Sequence, residues 1–485
     1  MKANLKTKIL LLLLAFAMIG TMLSACKGRD ELSENTVDSS KDPKETPEED
    51  STSEIVPDFE PTNYNAEICI LQNDYSNGSI LREECDSENA ENENLEYALI
   101  KKVEYLEDKY GVTFEFRKRT KVDVYSTLAN EITINEGTYD IIDFPLLQTS
   151  TLASQGLLYN LSDIENIDLS KPWWSQQLND DISYNGNNFF AVGNSNLTSM
   201  WTASCVFFNK SIAERYGKDI SAIYQMVTDR TWTLDKMLEM AKEVDGGDLY
   251  GVSQTAGGWY TAFYGSGMKL VSFDDNLGEF VLNPFDEPLV DRITDIIDYK
   301  NNEEISLIND GTLDEWKAFT NGNVLFLVES IAVSTSAKAS SVEYGILPSP
   351  LGAEGQSAYF TSIHPGHSSC FSIPIDVWDG DLPMLAVIME EANYISRKEV
   401  WPELYDTLLK GQVARDPQSA EILDTIFDNL TVDPCLMYSP SLDQVVRALI
   451  ASGNSTNVKS TLDGAIPKVE GELAAINTSY REKIR

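Results

Sequence analysis

Histidine and paired cysteine are scarce in this sequence of 485 residues. The two histidines, His364 and His367, are separated by Pro365 and Gly366, and proline there prevents a regular helix from presenting both rings to zinc. Five cysteines besides Cys26 form an odd number without close pairs, so neither a metal cluster nor a disulfide framework is indicated. We therefore expect no metal and no cofactor. A single bridge between Cys69 and Cys85 stays open.

Positive charge is also scarce. The chain has 37 Lys and Arg against 77 Asp and Glu, which gives a net charge of −40 at pH 7. Such an excess repels nucleic acid and anionic lipid, and we expect neither as a partner. Beyond the N-terminus, no apolar run is long enough to cross a bilayer.

The N-terminus does carry a short apolar run. Lys2, Lys6 and Lys8 precede the run Ile9–Met18, and the pattern is typical of a secretory signal peptide, here residues 1–25. The sequence Leu-Ser-Ala-Cys ending at Cys26 resembles the lipobox of bacterial lipoproteins. That resemblance implies acylation of Cys26 and anchoring to the extracellular face of the cell membrane, in the Gram-positive manner. The alternative is an ordinary signal peptide with an incidental cysteine.

Residues 26–62 contain Lys, Asp, Glu, Ser, Thr and Pro and hardly any large apolar side chain. Such a segment cannot bury enough surface to offset chain entropy, so we expect a disordered acidic tether. The remaining residues 63–485 are too many for a single core and predict two domains or more.

Apolar periodicity predicts an α/β fold for this body. A strand at 68–71, a helix ending at Gly111, a strand at 112–116, a helix at 124–135 and a strand at 139–144 alternate as β-α-β-α-β. Such alternation implies a parallel sheet with a ligand crevice beyond the carboxyl ends of its strands.

The pattern then changes. Residues 182–192 look like a hairpin, and a second α/β unit begins near residue 196, with strands at 204–208 and 324–328. Thr233 is expected to cap a helix. From residue 383 onward the sequence is mostly helical.

Several phrases resemble extracellular solute-binding proteins of the family 1 type, which are related to maltodextrin-binding protein. They include Asp140-Ile-Ile-Asp143, Phe207-Phe-Asn-Lys210 and Trp232-Thr-Leu-Asp235. Further phrases are Ile167 to Trp174, which we expect to be structural, and Leu408 to Gly411. The resemblance is based on the order and spacing of these segments, which together cover nearly the whole mature chain.

This resemblance implies a two-lobed, type II periplasmic-binding-protein-like fold. Each lobe would be a mixed sheet flanked by helices, and crossover segments near 191–201 and 348–356 would form the hinge. The implied arrangement is lobe 1 at 63–195, lobe 2 at 196–350, a return to lobe 1 at 351–400, and a C-terminal helical region at 401–485 that packs on both lobes. The expected function is that of a monomer that captures a carbohydrate and delivers it to the permease of an ABC importer.

A sugar site needs flat aromatic rings for the pyranose faces and polar side chains for the hydroxyls. By the resemblance, Trp259 and Tyr260 are the first candidates, because members of the family present a stacking aromatic at this loop. The further candidates lie near strand ends or crossovers: Trp201, Asp143, Phe144, Glu329 and Tyr359. Each aromatic could instead be a packing residue, and Asp143 could be a helix cap.

Two alternatives remain at this stage. A glycan-active enzyme is one, because so many acidic residues guarantee carboxylate pairs, although no G-x-S-x-G, Walker or H-E-x-x-H motif appears. A ligand-binding or sensor lipoprotein without transport is the other. Some members of the family bind calcium after the helix that corresponds to 234–244, but Asp245-Gly-Gly-Asp248 lacks the alternating oxygen ligands, so we expect none there.

Overall fold

The computed structural model describes residues 55–74, 93–121, 127–244, 248–254, 258–301, 306–308, 315–333, 341–353, 355–410 and 417–483. The predictions for the signal peptide 1–25, the anchor Cys26, nearly all of the tether 26–62, Cys85 and the loop 245–247 lie outside these residues.

Thirteen strands are present in the described residues. They are β1 Ala66–Asn73, β2 Val112–Arg119, β3 Ile141–Pro145, β4 Ser204–Asn209, β5 Tyr250–Gln254, β6 Val271–Asp274, β7 Glu279–Leu282, β8 Ser306–Ile308, β9 Val324–Ser330, β10 Tyr344–Pro348, β11 Thr361–Ser362, β12 Ser369–Ser372 and β13 Leu430–Thr431.

The α-helices of the described residues alternate with these strands in the first two thirds of the chain. They are α1 Glu93–Tyr110, α2 Ala129–Thr133, α3 Leu146–Ser154, α4 Gln176–Ile182, α5 Leu197–Trp201, α6 Lys210–Arg215, α7 Ile220–Thr228, α8 Leu234–Lys242, α9 Trp259–Tyr264, α10 Glu287–Lys300, α11 Glu315–Thr320, α12 Leu382–Ile395, α13 Trp401–Lys410, α14 Pro417–Asp428, α15 Cys435–Tyr438, α16 Pro440–Ser452 and α17 Val458–Lys483.

The first sheet has the strand order β12-β3-β1-β2. Strand β1 runs parallel to β2 and β3, while β12 is antiparallel to β3. The helix after β1 ends at Gly111, whose φ of +59° and close approach to Asn63 leave no room for a Cβ. The alternation predicted from residues 68–144 is confirmed here. Of the helix predicted at 124–135, residues 129–133 are helical, and 122–126 lie outside the description.

The second sheet has the order β10-β4-β9-β5-β8. Strand β4 is antiparallel to both of its neighbours, whereas β5 runs parallel to β8 and β9. The sheet is mixed, as expected for each lobe. Thr233 caps α8 as predicted, since its side chain accepts a hydrogen bond from the Lys236 amide.

The hairpin predicted at 182–192 is wrong in its strands. Residues up to Ile182 belong to α4, and only a single bridge joins Tyr184 to Asn187 across a turn in which Asn185 and Gly186 have positive φ. The apolar residues that follow pack into the cores instead of pairing with the first arm. The period-two alternation thus predicted the turn correctly, but the two strands that it predicted on either side of the turn do not pair.

Most of the core is one cluster of buried apolar side chains that includes residues of both sheets and of the C-terminal helices. A second cluster fills the space between the other face of the first sheet and helices α1 and α12. There Trp173 and Trp174 are buried, and their indole N–H groups both donate to the buried Glu390 carboxylate, which also accepts from the Asp168 amide. These tryptophans are structural, as expected.

The last helix, α17, contacts α3, which follows the first sheet, and also β7, α10 and α16. The boundaries proposed for the two lobes, and the packing of the C-terminal region on both of them, remain predictions.

Candidate ligand-binding site

The carboxyl ends of the parallel strands define where a ligand would bind in this kind of sheet. In the first sheet these ends are Asn73 of β1, Arg119 of β2 and Pro145 of β3, next to the beginning of the antiparallel β12. In the second sheet they are the ends of β5, β8, β9 and β10, next to Ser204 at the beginning of β4.

These two edges are joined by a group of hydroxyl side chains that we call the hydroxyl seam: Thr202, Ser204, Ser349, Ser362 and Ser368. Ser204 Oγ lies 2.9 Å from Ser362 Oγ and 3.3 Å from Ser349 Oγ, while Thr202 pairs with Ser368. All five side chains are buried. The seam combines the segment before β4 with the segment that leads from β10 to β12, so the chain passes between the two sheets here twice.

Asn73 is the last residue of β1 and has 3% of its surface exposed. In its side-chain amide, neither Nδ2 nor Oδ1 has a hydrogen-bond partner among the described residues. A buried amide without partners costs free energy, and such groups in native proteins commonly serve a ligand or a water. Its place at a carboxyl strand end makes Asn73 a candidate ligand contact, which the sequence reasoning missed.

Three basic side chains meet at the same edge of the first sheet. Lys121 follows β2 by two residues, and its Nζ lies 3.1 Å from His367 Nδ1. The rings of His364 and His367 are 4.9 Å apart. The backbone of this histidine loop is fixed to the first turn of α3 by two hydrogen bonds, from Leu147 N to Pro365 O and from Leu146 N to Ser368 O.

The surroundings of this cluster disfavour its charged forms. Burial, followed by the nearby charge of Lys121 and then by His364, lowers the pKa of His367 to about 4. Burial also lowers the pKa of Lys121, and burial followed by Lys121 lowers that of His364. As whole residues, His364 is exposed, whereas Lys121 and His367 are half-buried.

Asp143 and Phe144 lie at the end of β3 as predicted, but both are buried. Asp143 accepts a hydrogen bond of 3.0 Å from Asn196 Nδ2, and Phe144 has none of its surface exposed. In this conformation, Asp143 holds the residue that precedes α5, and Phe144 offers no surface to a ligand.

Trp201 and Tyr359 are also buried, each with 5% of its surface exposed. Trp201 ends α5, which packs against β12 and the turn Ile331–Val333. Tyr359 donates a hydrogen bond to the Val227 carbonyl, and burial raises its pKa well above the ordinary value.

Glu329 is half-buried at the carboxyl end of β9, and its carboxylate accepts a hydrogen bond from the Ser330 amide. Its backbone pairs with Cys205, one residue from the hydroxyl seam. Glu329 therefore lies at the carboxyl edge of the second sheet. Trp259 and Tyr260 form the first turn of α9, after the carboxyl end of β5, but their side chains lie outside the described part of the structure.

A separate apolar cavity of about 40 Å³ lies on the other face of the first sheet, between the sheet and helices α1 and α12. Asp143, Lys102 and Ser195 are its polar lining residues. It is too small for a sugar, whereas the opposed edges of the two sheets offer polar groups from both sides. No cluster of His, Cys, Asp or Glu that could hold a metal is found among the described residues.

Two mixed sheets with helices on their faces and opposed carboxyl edges define a solute-binding protein with the type II periplasmic-binding-protein-like fold. A family model described as bacterial extracellular solute-binding protein matches residues 101–367, more than half of the chain. The protein belongs to this family, and the resemblance inferred from sequence is confirmed. No curated protein sequence matches significantly.

Solved structures of ligand-bound binding proteins share the fold. The ABC substrate-binding protein Lmo0181 from Listeria monocytogenes, in complex with cycloalternan, has a TM-score of 0.55 at 16% identity, with 84% of this chain and 99% of that chain covered. A cyclo/maltodextrin-binding protein complexed with maltotetraose has a TM-score of 0.56 at 15% identity, with coverages of 84% and 97%. UgpB from Mycobacterium tuberculosis, in complex with glycerophosphocholine, has a TM-score of 0.53 at 13% identity, with coverages of 84% and 98%.

None of the described helices is long and apolar enough to span a bilayer. The family is one of extracellular proteins. Asn73 and Lys121 could have been predicted as site candidates from the sequence, because both come shortly after predicted strands. Nothing in the sequence places the two histidines beside a lysine, because Lys121 lies far from them along the chain.

Proposed function

We propose that this protein is the substrate-binding lipoprotein of an ABC importer, that it captures a carbohydrate between its two lobes, and that it delivers the sugar to the permease. The observation that carries the proposal is that the hydroxyl seam joins the carboxyl edges of the two sheets, where polar side chains lie, including the unsatisfied side-chain amide of Asn73. The sugars in two related structures support the choice of ligand class.

The proposed contacts differ in kind. Trp259 and Tyr260 would stack on the pyranose faces, as the family resemblance implies, while Glu329 and Asn73 would bind hydroxyl groups. The buried residues Asp143, Phe144, Trp201 and Tyr359 would shape the walls of the cleft, and would reach the ligand only after the lobes rearrange. Ligand that bridges both lobes would bind the closed state better and shift the equilibrium toward it.

A thermal-shift screen of the purified protein against a glycan panel tests the proposal. A ligand present at a few hundred to a thousand times its Kd should stabilise the protein by about 3 to 4 kcal/mol. The incubated sugar should be recovered unchanged, because turnover of a glycoside would favour a secreted enzyme. A panel without any stabilising sugar would contradict the carbohydrate assignment.

The aromatic contacts have their own test. The double variant Trp259→Ala with Tyr260→Ala should lose sugar binding and keep the fold. Trp378→Ala is the matched control, because Trp378 is 73% exposed after β12, away from the opposed edges. Undiminished affinity of the double variant would refute the assignment of the two rings.

Anchoring is the last part of the proposal. Acylation of Cys26 would hold the protein at the outer face of the membrane and keep it near the permease. The anchored protein would be a monomer. The Cys26→Ser variant should be released into the medium while the wild type stays with the membrane fraction. Equal release of both would contradict a lipid anchor.

A further inference from the structure

The amino edge of the first sheet, opposite to the carboxyl edge with the candidate ligand contacts, carries three exposed apolar side chains. Trp378 is 73% exposed, Ile134 66% and Ile375 42%. Ile134 precedes β3, and the other two follow β12, which runs antiparallel to β3, so both segments lie at this edge. Large apolar side chains that are exposed near one another commonly mark an interaction surface.

The two loops that carry these side chains are bound to each other and to the body of the protein. The Gly137 amide donates to the Asp376 carboxylate at 2.9 Å, which joins the loop before β3 to the loop after β12. In the second loop, the Tyr159 hydroxyl donates to the Asp379 carboxylate and lies 3.1 Å from the Val377 carbonyl. The surface therefore has a fixed shape, which lowers the entropic cost of binding a partner.

The indole ring of Trp378 has one face against the backbone. A Cβ added at Gly380 would lie 2.5 to 2.7 Å from three successive carbons of the six-membered ring. Such nearly equal distances place Gly380 over a face of the ring and not at its edge. Because Trp378 is nevertheless largely exposed, the other face is open to solvent, and a side chain at position 380 would displace the ring.

The charged groups near this ring are carboxylates. Asp376 and Asp381 lie in the same loop as Trp378. Burial raises the pKa of Asp140, just before β3, and the hydrogen bond from the Cys69 amide opposes that shift. The carboxylates of Asp381 and Asp376 raise this pKa further. The amino edge is therefore negatively charged as well as apolar.

We infer that this edge is a docking surface for a partner protein that presents arginine, with the open face of Trp378 as the main contact. A guanidinium stacks on an indole face and is bound by carboxylates, so one arginine side chain complements both features of the edge. Ile134 and Ile375 would contact apolar side chains of the partner. Nucleic acid and anionic lipid would be repelled, and the acidic excess of the chain disfavours a second copy.

A pair of labelled peptides tests the inference with the mature protein. Leu-Arg-Leu-Arg-Leu carries the proposed groups, and the same peptide with citrulline in place of arginine has nearly the same shape without the charge. In fluorescence anisotropy at physiological ionic strength, we expect the arginine peptide to bind about tenfold more tightly. Equal affinity of the two peptides, or binding of neither, would overturn the inference.

Two variants test the role of the ring. Trp378→Ala should lower the affinity for the arginine peptide about tenfold. Gly380→Ala retains the indole but displaces it, and should lower the affinity about threefold. The melting temperature verifies that each variant is folded. Wild-type affinity in Trp378→Ala would overturn the inference.

A matched pair of charge variants separates local recognition from general attraction. Asp379→Asn with Asp381→Asn should lower the affinity for the arginine peptide about tenfold. Asp291→Asn with Asp298→Asn removes the same charge from the exposed face of α10, and should change the affinity by less than about twofold. Equal losses in the two double variants would show that the peptide senses only the net charge, which would overturn the inference.

A lipid surface is the competing occupant, because tryptophan also lies at membrane interfaces. If Trp378→Ala abolished co-sedimentation with phosphatidylcholine vesicles and left the peptide affinity unchanged, the edge would be a lipid contact and the inference would be overturned. Sugar binding should be the same in all these variants, because the amino edge lies opposite to the ligand site. The inference and the proposed function can therefore fail independently.

Discussion

Two buried asparagines show how hydrogen-bond satisfaction distinguishes a ligand contact from a structural residue. Asn179 donates to the Val192 carbonyl at 3.0 Å and accepts from the Val192 amide at 2.8 Å, whereas the amide of Asn73 has no partner among the described residues. Removing a satisfied side-chain amide leaves its buried partners without hydrogen bonds. Removing an unsatisfied one relieves a desolvation cost.

Asn73→Ala and Asn179→Ala should therefore respond differently. In urea unfolding without ligand, we expect Asn73→Ala to change the free energy of unfolding by less than about 1 kcal/mol and Asn179→Ala to lower it by about 2 to 3 kcal/mol. Asn73→Ala should instead weaken ligand binding about tenfold. An equal loss of stability in both variants would show that Asn73 is a structural residue.

The titration of His367 follows from its surroundings. Because its pKa in the folded protein is about 4 and the ordinary value is 6.5, the unfolded chain binds more protons between these limits. The contribution of His367 to stability is thus complete above pH 6.5 and is lost as the pH falls toward 4.

NMR titration can check this directly, because the chain has only two histidines. The imidazole resonances of His367, assigned with the His364→Gln variant, should remain those of the neutral ring at pH 5.5. A midpoint near 6.5 would show that the ring is solvated and would contradict the described contacts with Lys121.

Glu390 differs from His367 because it is a buried acid, and we expect its removal to destabilise the protein. Burial raises its pKa, while the Asp168 amide and the two indole N–H groups oppose that shift by donating to the carboxylate. Glu390→Ala would leave two buried indole N–H groups and the partly buried Asp168 amide without their acceptor, and we expect a loss of about 3 to 5 kcal/mol in the free energy of unfolding. Glu399→Ala, at an exposed position nearby, should stay within about 0.5 kcal/mol of the wild type.

At the scale of elements, one side chain of the last helix forms two hydrogen bonds with the strand β7. Asn477 Nδ2 donates to the Phe280 carbonyl at 2.9 Å and its Oδ1 accepts from the Phe280 amide at 2.9 Å. The backbone carbonyl of Asn477 also accepts from the Tyr184 hydroxyl. This side chain thus bonds to β7 as an additional strand would.

Asn477→Ala should loosen this pair of strands selectively. We expect amide hydrogen exchange in residues 271–282 to accelerate at least tenfold, while exchange in the first sheet changes little. Thr478→Ala, an exposed position on the same helix, is the control. Unchanged exchange in Asn477→Ala would mean that the aromatic packing around Tyr184 alone holds the strands.

The elements that the sequence predicted well are those with strong periodicity. The alternation of β1, α1, β2 and β3 could be predicted because β1 and β3 are largely buried apolar runs, β2 begins with alternating apolar and polar residues, and the long helix α1 has one apolar face. The prediction of a hairpin at 182–192 was wrong in its strands, because alternation also occurs in segments that pack singly against a core.

The candidate site was harder to predict than the fold. Sequence places Asp143 and Phe144 at a strand end, but only the coordinates show that one bonds to Asn196 and that the other is buried. The basic cluster combines Lys121 with a loop more than two hundred residues later, and a single sequence contains no signal for that contact.

At the scale of the whole molecule, the two sheets share one core. Residues Val56–Arg485 form one compact unit, and the larger cluster of buried apolar residues includes strands of both sheets and the C-terminal helices. Because each part buries apolar surface against the others, we expect the sheets to unfold together.

Differential scanning calorimetry tests this expectation. The mature protein should give a single transition whose van't Hoff and calorimetric enthalpies agree, and a saturating ligand should move the whole transition upward. Two resolved transitions, or a ligand that moves only part of the heat absorption, would show that the lobes are independent folding units.

The hydroxyl seam has a consequence for motion. Each Ser or Thr oxygen can donate or accept, and its hydrogen rotates about a single bond, so a small displacement of one chain segment can be followed by an exchange of roles between neighbours. Charged pairs at the same place would resist such sliding, because their attraction depends on one fixed geometry. Between the lobes of this protein, hydroxyl groups therefore allow a change of angle at little energetic cost and without exposing an unsatisfied polar atom.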